Sequence, residues 1–199
     1  MTIHSSHKTA KTSGSANSPF SYFKFLLRDK YIGSITPSSR YLVAKLVSAM
    51  NIGEAQTVIE YGPAQGILTK KILEALPARA RLIAIERNQD FYEILRRYIT
   101  DTRFRPIQGD VRKIDQIASD LGISQADAVV SCIPFALLTR DECEDLLKKT
   151  SRLLKPGGRF VLFQYSPQMF PILKKHFSRF KTEFVLRNIP PAFVFTAFK

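Results

Sequence analysis

Three carboxylates beside glycines carry the first chemical signal in this chain. Glu60-Tyr-Gly62-Pro-Ala-Gln-Gly66 closes a β-rich run and opens a helical pattern. In an open α/β sheet, ligands bind outside the carboxyl ends of the strands, where the strand order reverses. Gly62 permits a tight turn there, and Gly66 lets a helix approach a ligand with no Cβ in the way. A dinucleotide loop would offer a helix N-terminus to a pyrophosphate, and the acid at Glu60 would repel that group. A ligand with a positive sulfonium and a zwitterionic amino-acid end, S-adenosylmethionine, suits the acid better. Glu86 follows the glycine loop by about 20 residues, the interval at which a carboxylate takes ribose hydroxyls. Gly109-Asp110 follows a third run, and Asp110 is placed to accept from an adenine amino group.

The elements that must position these groups alternate along the chain. β-rich runs are predicted at 56–61, 81–86, 103–108, 126–131 and 158–165, with helical patterns near 66–76, 89–99, 113–121 and 140–153 between them. The last of these helices starts with Thr139 and Glu142 at capping-box spacing, and Lys155-Pro-Gly-Gly follows it as an exit. Such alternation predicts a parallel sheet with helices on both faces. A further helix near 168–178 is followed by runs at 181–187 and 192–198. The link between these runs is too short for a parallel crossover and implies an antiparallel pair. Before the sheet, Pro19 opens an amphipathic segment with Phe20, Phe23, Leu26 and Leu27 on one side, flanked by Lys24 and Arg28. Ser38 or Ser39 caps a second helix running to about Met50. The expected organisation is a disordered Ser/Thr/Lys/Gly-rich tail at 1–18, N-terminal amphipathic or lid helices at 19–50, and the ligand-binding domain at 51–199.

Composition narrows the class. The 199 residues are 45% apolar and 24% charged, ordinary for one globular domain. No run approaches the roughly 18–20 apolar residues of a membrane span, and the N-terminus lacks the apolar stretch of a secretory signal. Two cysteines make no disulfide framework, and three histidines leave little for a metal site, so no metal is expected. Lys and Arg exceed Asp and Glu by 13, with the excess at the two ends and a neutral middle. Basic ends of this kind point to a polyanionic partner, either a membrane surface or a nucleic acid.

Taken together, Glu60–Gly66, Glu86, Gly109-Asp110 and Leu154-Lys-Pro-Gly-Gly resemble the class I S-adenosylmethionine-dependent methyltransferases over roughly residues 55–165. The resemblance implies a Rossmann-like α/β fold: a seven-stranded, mostly parallel sheet with an antiparallel last strand and helices on both faces. It implies cofactor contacts from Glu60, Gly62, Pro63, Gly66, Glu86, Arg87, Gly109, Asp110, Val111 and Ser131. Ala64 departs from the family's loop, standing where the middle glycine is usual, and its methyl is expected to narrow that loop.

A narrower resemblance concerns the substrate. Phe25-Leu-Leu-Arg, Gly33-Ser-Ile-Thr-Pro37-Ser38-Ser39-Arg40, Ser131-Cys-Ile-Pro134 and Arg187-Asn-Ile-Pro-Pro-Ala-Phe-Val are similar to motifs of the bacterial phospholipid N-methyltransferases. What this implies is methylation of the amine of phosphatidylethanolamine by a cytoplasmic protein held peripherally at the inner face of the membrane. The 19–30 segment suits the headgroup plane, with its cations toward anionic lipid; the same stripe equally suits packing onto the sheet. The site must present a neutral amine, and Tyr165, Ser131, Tyr22 and Gln164 are the candidates to line it, Tyr165 first. Ser38, Ser39, Arg40 and Arg187 are the candidates for the lipid phosphate. An rRNA adenine N6-dimethyltransferase is the alternative, since that family is related. Cys132 stands where its motif has an Asn, however, and lacks the paired amide donor and acceptor. The chain's end soon after the sheet adds no RNA-binding domain to that reading, so nucleic acid is the less favoured partner. A non-enzymatic basic membrane- or RNA-binding protein is the second alternative, resting on Ala64.

Overall fold

The computed structural model describes residues 38–199. The tail at 1–18, the amphipathic segment at 19–30 and the candidate Tyr22 lie outside the described residues.

The first described helix, α1 (Arg40–Met50), starts at Ser39, whose hydroxyl accepts the Leu42 N–H at 3.2 Å. Strands and helices then alternate: β1 (Thr57–Tyr61), α2 (Ile67–Ala75), β2 (Arg81–Glu86), α3 (Gln89–Tyr98), β3 (Phe104–Gln108), α4 (Ile114–Asp120), β4 (Ala126–Ser131), α5 (Arg140–Leu153) and β5 (Leu154–Gln164). After α6 (Phe170–His176), β6 (Arg179–Val185) and β7 (Ala192–Phe198) close the sheet. α5 carries the anticipated capping box between Thr139 and Glu142. The strand order is β3-β2-β1-β4-β5-β7-β6. β7 runs antiparallel to both neighbours, and the other pairings are parallel.

Side chains alternate across this sheet and build two cores. Ile59, Tyr61, Ile83, Ile85, Val129, Phe160 and Leu162 face α4, α5 and α6. Val58, Leu82, Ala128, Val130 and Val161 face α1 and α2. Each fully buried aliphatic side chain contributes roughly 1.5–3 kcal/mol, which fixes the register and hence which residues sit at the strand ends.

Two expectations change here. The 40–50 helix, expected to belong with the lid, is part of the sheet domain, because Leu42, Val43, Leu46 and Met50 pack in the same core as Val58 and Val194. Lys155-Pro-Gly-Gly is not simply an exit loop. Leu154 already pairs with Ala126, and after an irregularity that includes Gly157 at φ +78° the ladder resumes at Arg159 and Ala128.

Candidate active site

The strand order reverses between β1 and β4, so the crevice opens where Tyr61 pairs with Ser131. The chain leaves β1 in a turn held by Gly62 N–H donating to Ile85 O at 3.0 Å and Gly66 N–H donating to Pro63 O at 2.9 Å. Gly62, Ala64 and Gly66 all have positive φ, at +69°, +48° and +78°. Ala64 therefore adopts the left-handed conformation that the family's glycine would take at no steric cost. Gly66 has a further reason besides the approach to a ligand expected from the sequence. A Cβ there would lie 2.8 Å from Leu95 Cδ2 and 3.0 Å from Ile99 Cδ1, so the glycine admits the α3 side chains beneath the loop. A Cβ at Gly62 would meet Ile133 Cγ2 at 2.8 Å.

Glu86, buried at the end of β2, accepts the Ala64 N–H at 3.0 Å on Oε2 and the Asn88 N–H at 2.8 Å on Oε1. Each oxygen keeps a lone pair for a further donor. Glu60 is fully buried, and its Oε2 accepts the Thr69 hydroxyl at 2.7 Å. Its Oε1 is buried with no partner among the described residues. Burial pushes the Glu60 carboxyl up to about 8, and the nearby Glu86 adds to the shift while Thr69 opposes it. The free protein thus holds Glu60 largely protonated at neutral pH, and an arriving cation would favour the carboxylate.

Asp110, the candidate for an adenine amino group, is engaged by a near neighbour in the chain. It caps a short turn at Val111–Lys113 and accepts from Arg112 through both oxygens, with a 2.6 Å contact to Nη2. The Arg112 guanidinium holds the Asp110 carboxyl below its usual range and reaches on to Glu142. Gly109 donates to Glu86 O at 2.9 Å, Val111 is buried, and Arg87 is exposed within electrostatic reach of Asp110.

On the other side of the switch, Cys132 N–H donates to Tyr61 O at 2.9 Å, and Gln164 Nε2 donates to Ile133 O at 3.3 Å. Ser131 is fully buried, its hydroxyl turned to the Ile133 N–H at 3.4 Å. Ser131 and Gln164 therefore shape the Cys132–Pro134 loop. Burial raises the Cys132 thiol well above its usual value, and Glu60 adds to that. Tyr165 is half-buried, edge-on to Phe163 and hydrogen-bonded to Asn188; burial raises its phenol, so it stays neutral. Asn188 is 2% exposed. Its Oδ1 accepts the Ser39 N–H at 2.9 Å and its Nδ2 donates to Pro190 O at 2.7 Å. Ser39 is thereby occupied as cap and donor. Arg40 and Arg187 each lie 5.0 Å from the Tyr41 ring, while Ser38 is half-buried beside the cap.

A nucleoside with a sulfonium fits this crevice. The orphaned Glu60 Oε1 offers buried capacity for a donor or a positive group, and Glu86 offers acceptors beside the loop backbone. A model of the methyltransferase domain family matches residues 58–158. The chain is also 33% identical to the ornithine lipid N-methyltransferase of Singulisphaera acidiphila, over 85% of this chain and 89% of that protein. The chain is a class I S-adenosylmethionine-dependent methyltransferase. A ribosomal RNA small subunit methyltransferase A from Mycoplasma capricolum is 34% identical, but over 43% of this methyltransferase and 31% of that protein. The Burkholderia thailandensis 1,6-didemethyltoxoflavin-N1-methyltransferase, solved with 1,6-didemethyltoxoflavin and S-adenosylhomocysteine bound, shares the fold. Its TM-score is 0.65 at 19% identity, over 96% of this chain and 94% of that one.

Within this methyltransferase, Glu60, Glu86 and the Gly62–Gly66 loop line the crevice and are the residues that would hold S-adenosylmethionine. The sequence reading did not single out Thr69, Arg112 or Asn188 as site residues. Thr69 sits at the third position of the helix after the loop, facing back to β1, and that spacing is the one signal that could have found it.

Proposed function

We propose that this methyltransferase methylates the primary amine of a membrane phospholipid, phosphatidylethanolamine, as a peripheral protein at the inner face of the cytoplasmic membrane. One observation carries the reading: the likeness to a lipid N-methyltransferase runs through nearly the whole of both chains, whereas the likeness to the ribosomal RNA enzyme covers about a third of it. Cys132 supports the choice, since a thiol cannot hold a base edge as an amide does. Among the described residues no helix is long and apolar enough to cross a membrane.

When bound, S-adenosylmethionine supplies a methyl group on a positive sulfur, already a good electrophile. The protein's task is then to align a neutral nitrogen, a positioning effect that can be large. Partial burial disfavours an ammonium. Tyr165 is neutral and suits the role of hydrogen-bond acceptor that orients the amine, with Asn188 fixing its hydroxyl. Arg40 and Arg187, both 5.0 Å from the Tyr41 ring, suit an anionic oxygen next to that amine. Phosphatidylethanolamine carries such an oxygen as a phosphodiester. An ornithine lipid carries it as a carboxylate, and the named relative favours that lipid as the second reading.

The experiment supplies labelled S-adenosylmethionine with vesicles of phosphatidylethanolamine, vesicles of ornithine lipid, and ribosomal RNA in parallel. Label in phosphatidylethanolamine is the expected result. Label confined to ornithine lipid would move the substrate within the lipid class, and label confined to RNA would overturn it.

A further inference from the structure

The β6–β7 hairpin presents an apolar tip that the methyl-transfer site does not use. Leu186 is 72% exposed and Ile189 78% exposed. They are not loose side chains on a wandering loop. Asn188, between them, is buried and tied to the Ser39 N–H, to Pro190 O and to Tyr165, so the turn is anchored from beneath while its neighbours point outward.

Sheet register places this tip. Gln164 pairs with Phe193 and Val185 with Ala192, so residues 186–191 extend beyond the strands at the edge where β5 ends. That is also the edge at which β1 and β4 end, at Tyr61 and Ser131, and where the Gly62–Gly66 loop begins. Arg187 and Arg40 stand beside the apolar pair, both against Tyr41. Glu183, the acid of this hairpin, is paired with Lys45 at 2.6 Å and Lys181 at 3.1 Å.

We propose that the 186–191 tip is the membrane-docking surface of the enzyme: Leu186 and Ile189 enter the headgroup boundary of an anionic bilayer while Arg40 and Arg187 meet lipid phosphates, which turns the cofactor crevice toward the membrane. This assignment rests on the lipid reading above. Aliphatic tips flanked by cations gain from an acyl boundary and from negative surface potential together. RNA would use the cations and the exposed Tyr41 and Phe184 rings for stacking, but it would leave the two more exposed aliphatic side chains, Leu186 and Ile189, without a partner. Two side chains are far below the roughly 800 Å² per partner of a stable protein interface, which disfavours a second copy.

The chain contains no tryptophan, so one introduced residue reports alone. Leu186→Trp in the full chain should show a blue-shifted, brighter emission on phosphatidylcholine vesicles containing phosphatidylglycerol. Tyr98→Trp is the control; Tyr98 ends α3, which starts at the carboxyl edge of β2 and runs back across the sheet, and its emission should not change. A Leu186→Ser/Ile189→Ser variant should lose at least about tenfold in partitioning to the same vesicles, with S-adenosylhomocysteine affinity unchanged as evidence of an intact fold. Vesicle binding with no emission change at position 186, or undiminished binding by the double variant, overturns the docking surface and leaves the substrate reading standing. Failure to bind vesicles at all, or emission changes with ribosomal RNA in their place, overturns the docking surface and counts against the lipid reading as well. Insertion of the tip in an enzyme that methylates no lipid supports the surface and refutes the substrate.

Discussion

The two halves of the sheet handle charge in opposite ways. Where β1 and β2 end, the crevice is lined by buried carboxylates, Glu60 and Glu86, and by backbone N–H groups that one of them has gathered. Where β5 and β7 meet, the same edge of the sheet carries a neutral phenol, a buried amide and two guanidiniums. Acids suit a cationic donor, and cations with neutral acceptors suit an amine beside an anionic oxygen. On the proposed reading, the difference would sort the two ligands by sign before shape matters, with Cys132 in electrostatic reach of both Glu60 and Tyr165.

That division can be broken most sharply at Glu86. Glu86→Ala leaves the Ala64 and Asn88 N–H groups without their carboxylate acceptor and removes the acceptors offered beside the loop, and S-adenosylhomocysteine affinity should fall at least about hundredfold, or roughly 2.7 kcal/mol. Calorimetry giving a loss under about threefold would mean that this half does not hold the nucleoside. Asn188→Ala is the counterpart on the other half. It unpairs the Ser39 N–H and Pro190 O, should cost about 2 kcal/mol and lower the melting temperature by about 4–8 °C, yet leave S-adenosylhomocysteine affinity within about twofold. Collapse of both would show one site where two are described. Tyr165→Phe should cut kcat about fivefold with cofactor affinity unchanged, as expected for an orienting hydroxyl; an unchanged kcat would remove it from the substrate side.

Glu60 sharpens the comparison through pH. Its carboxyl ionises near 4.5 when unfolded and near about 8 when folded, so the unfolded chain loses its proton first. Stability from this group is therefore present below about 4.5 and drains away as pH rises to about 8. Melting of the free protein across that window should fall more steeply for the native chain than for Glu60→Gln; parallel curves would mean that the carboxyl is not held protonated. The smallest effect is expected at Ala64. Replacement by Gly relieves roughly 1–2 kcal/mol of left-handed strain and adds about 0.5–1 kcal/mol of unfolded-chain entropy. Stability should stay within about 1 kcal/mol, and a larger loss would show that the methyl packs.

The acid-and-glycine half was readable because its signals are local. β-rich runs 81–86, 126–131 and 192–198 became strands with those bounds, and the loop after Tyr61 took the turn its glycines allow. What stayed hidden depends on partners far along the chain or on short-range competition. Gly66 answers to Leu95 and Ile99 on another helix. Asp110 is taken by Arg112, two residues on, which spacing alone does not distinguish from an open carboxylate. Asn188 reaches Ser39 across 149 positions and leaves no periodic trace.

That last contact has a consequence for synthesis. The helix that starts at Arg40 leaves the ribosome before the sheet strands, but the amide that ties down its cap belongs to the β6–β7 hairpin. Its N-terminal anchor therefore has to wait until Asn188, 149 positions after Ser39, has been made, so the half proposed for the substrate closes only after the strands that carry Glu60 and Glu86 have left the ribosome.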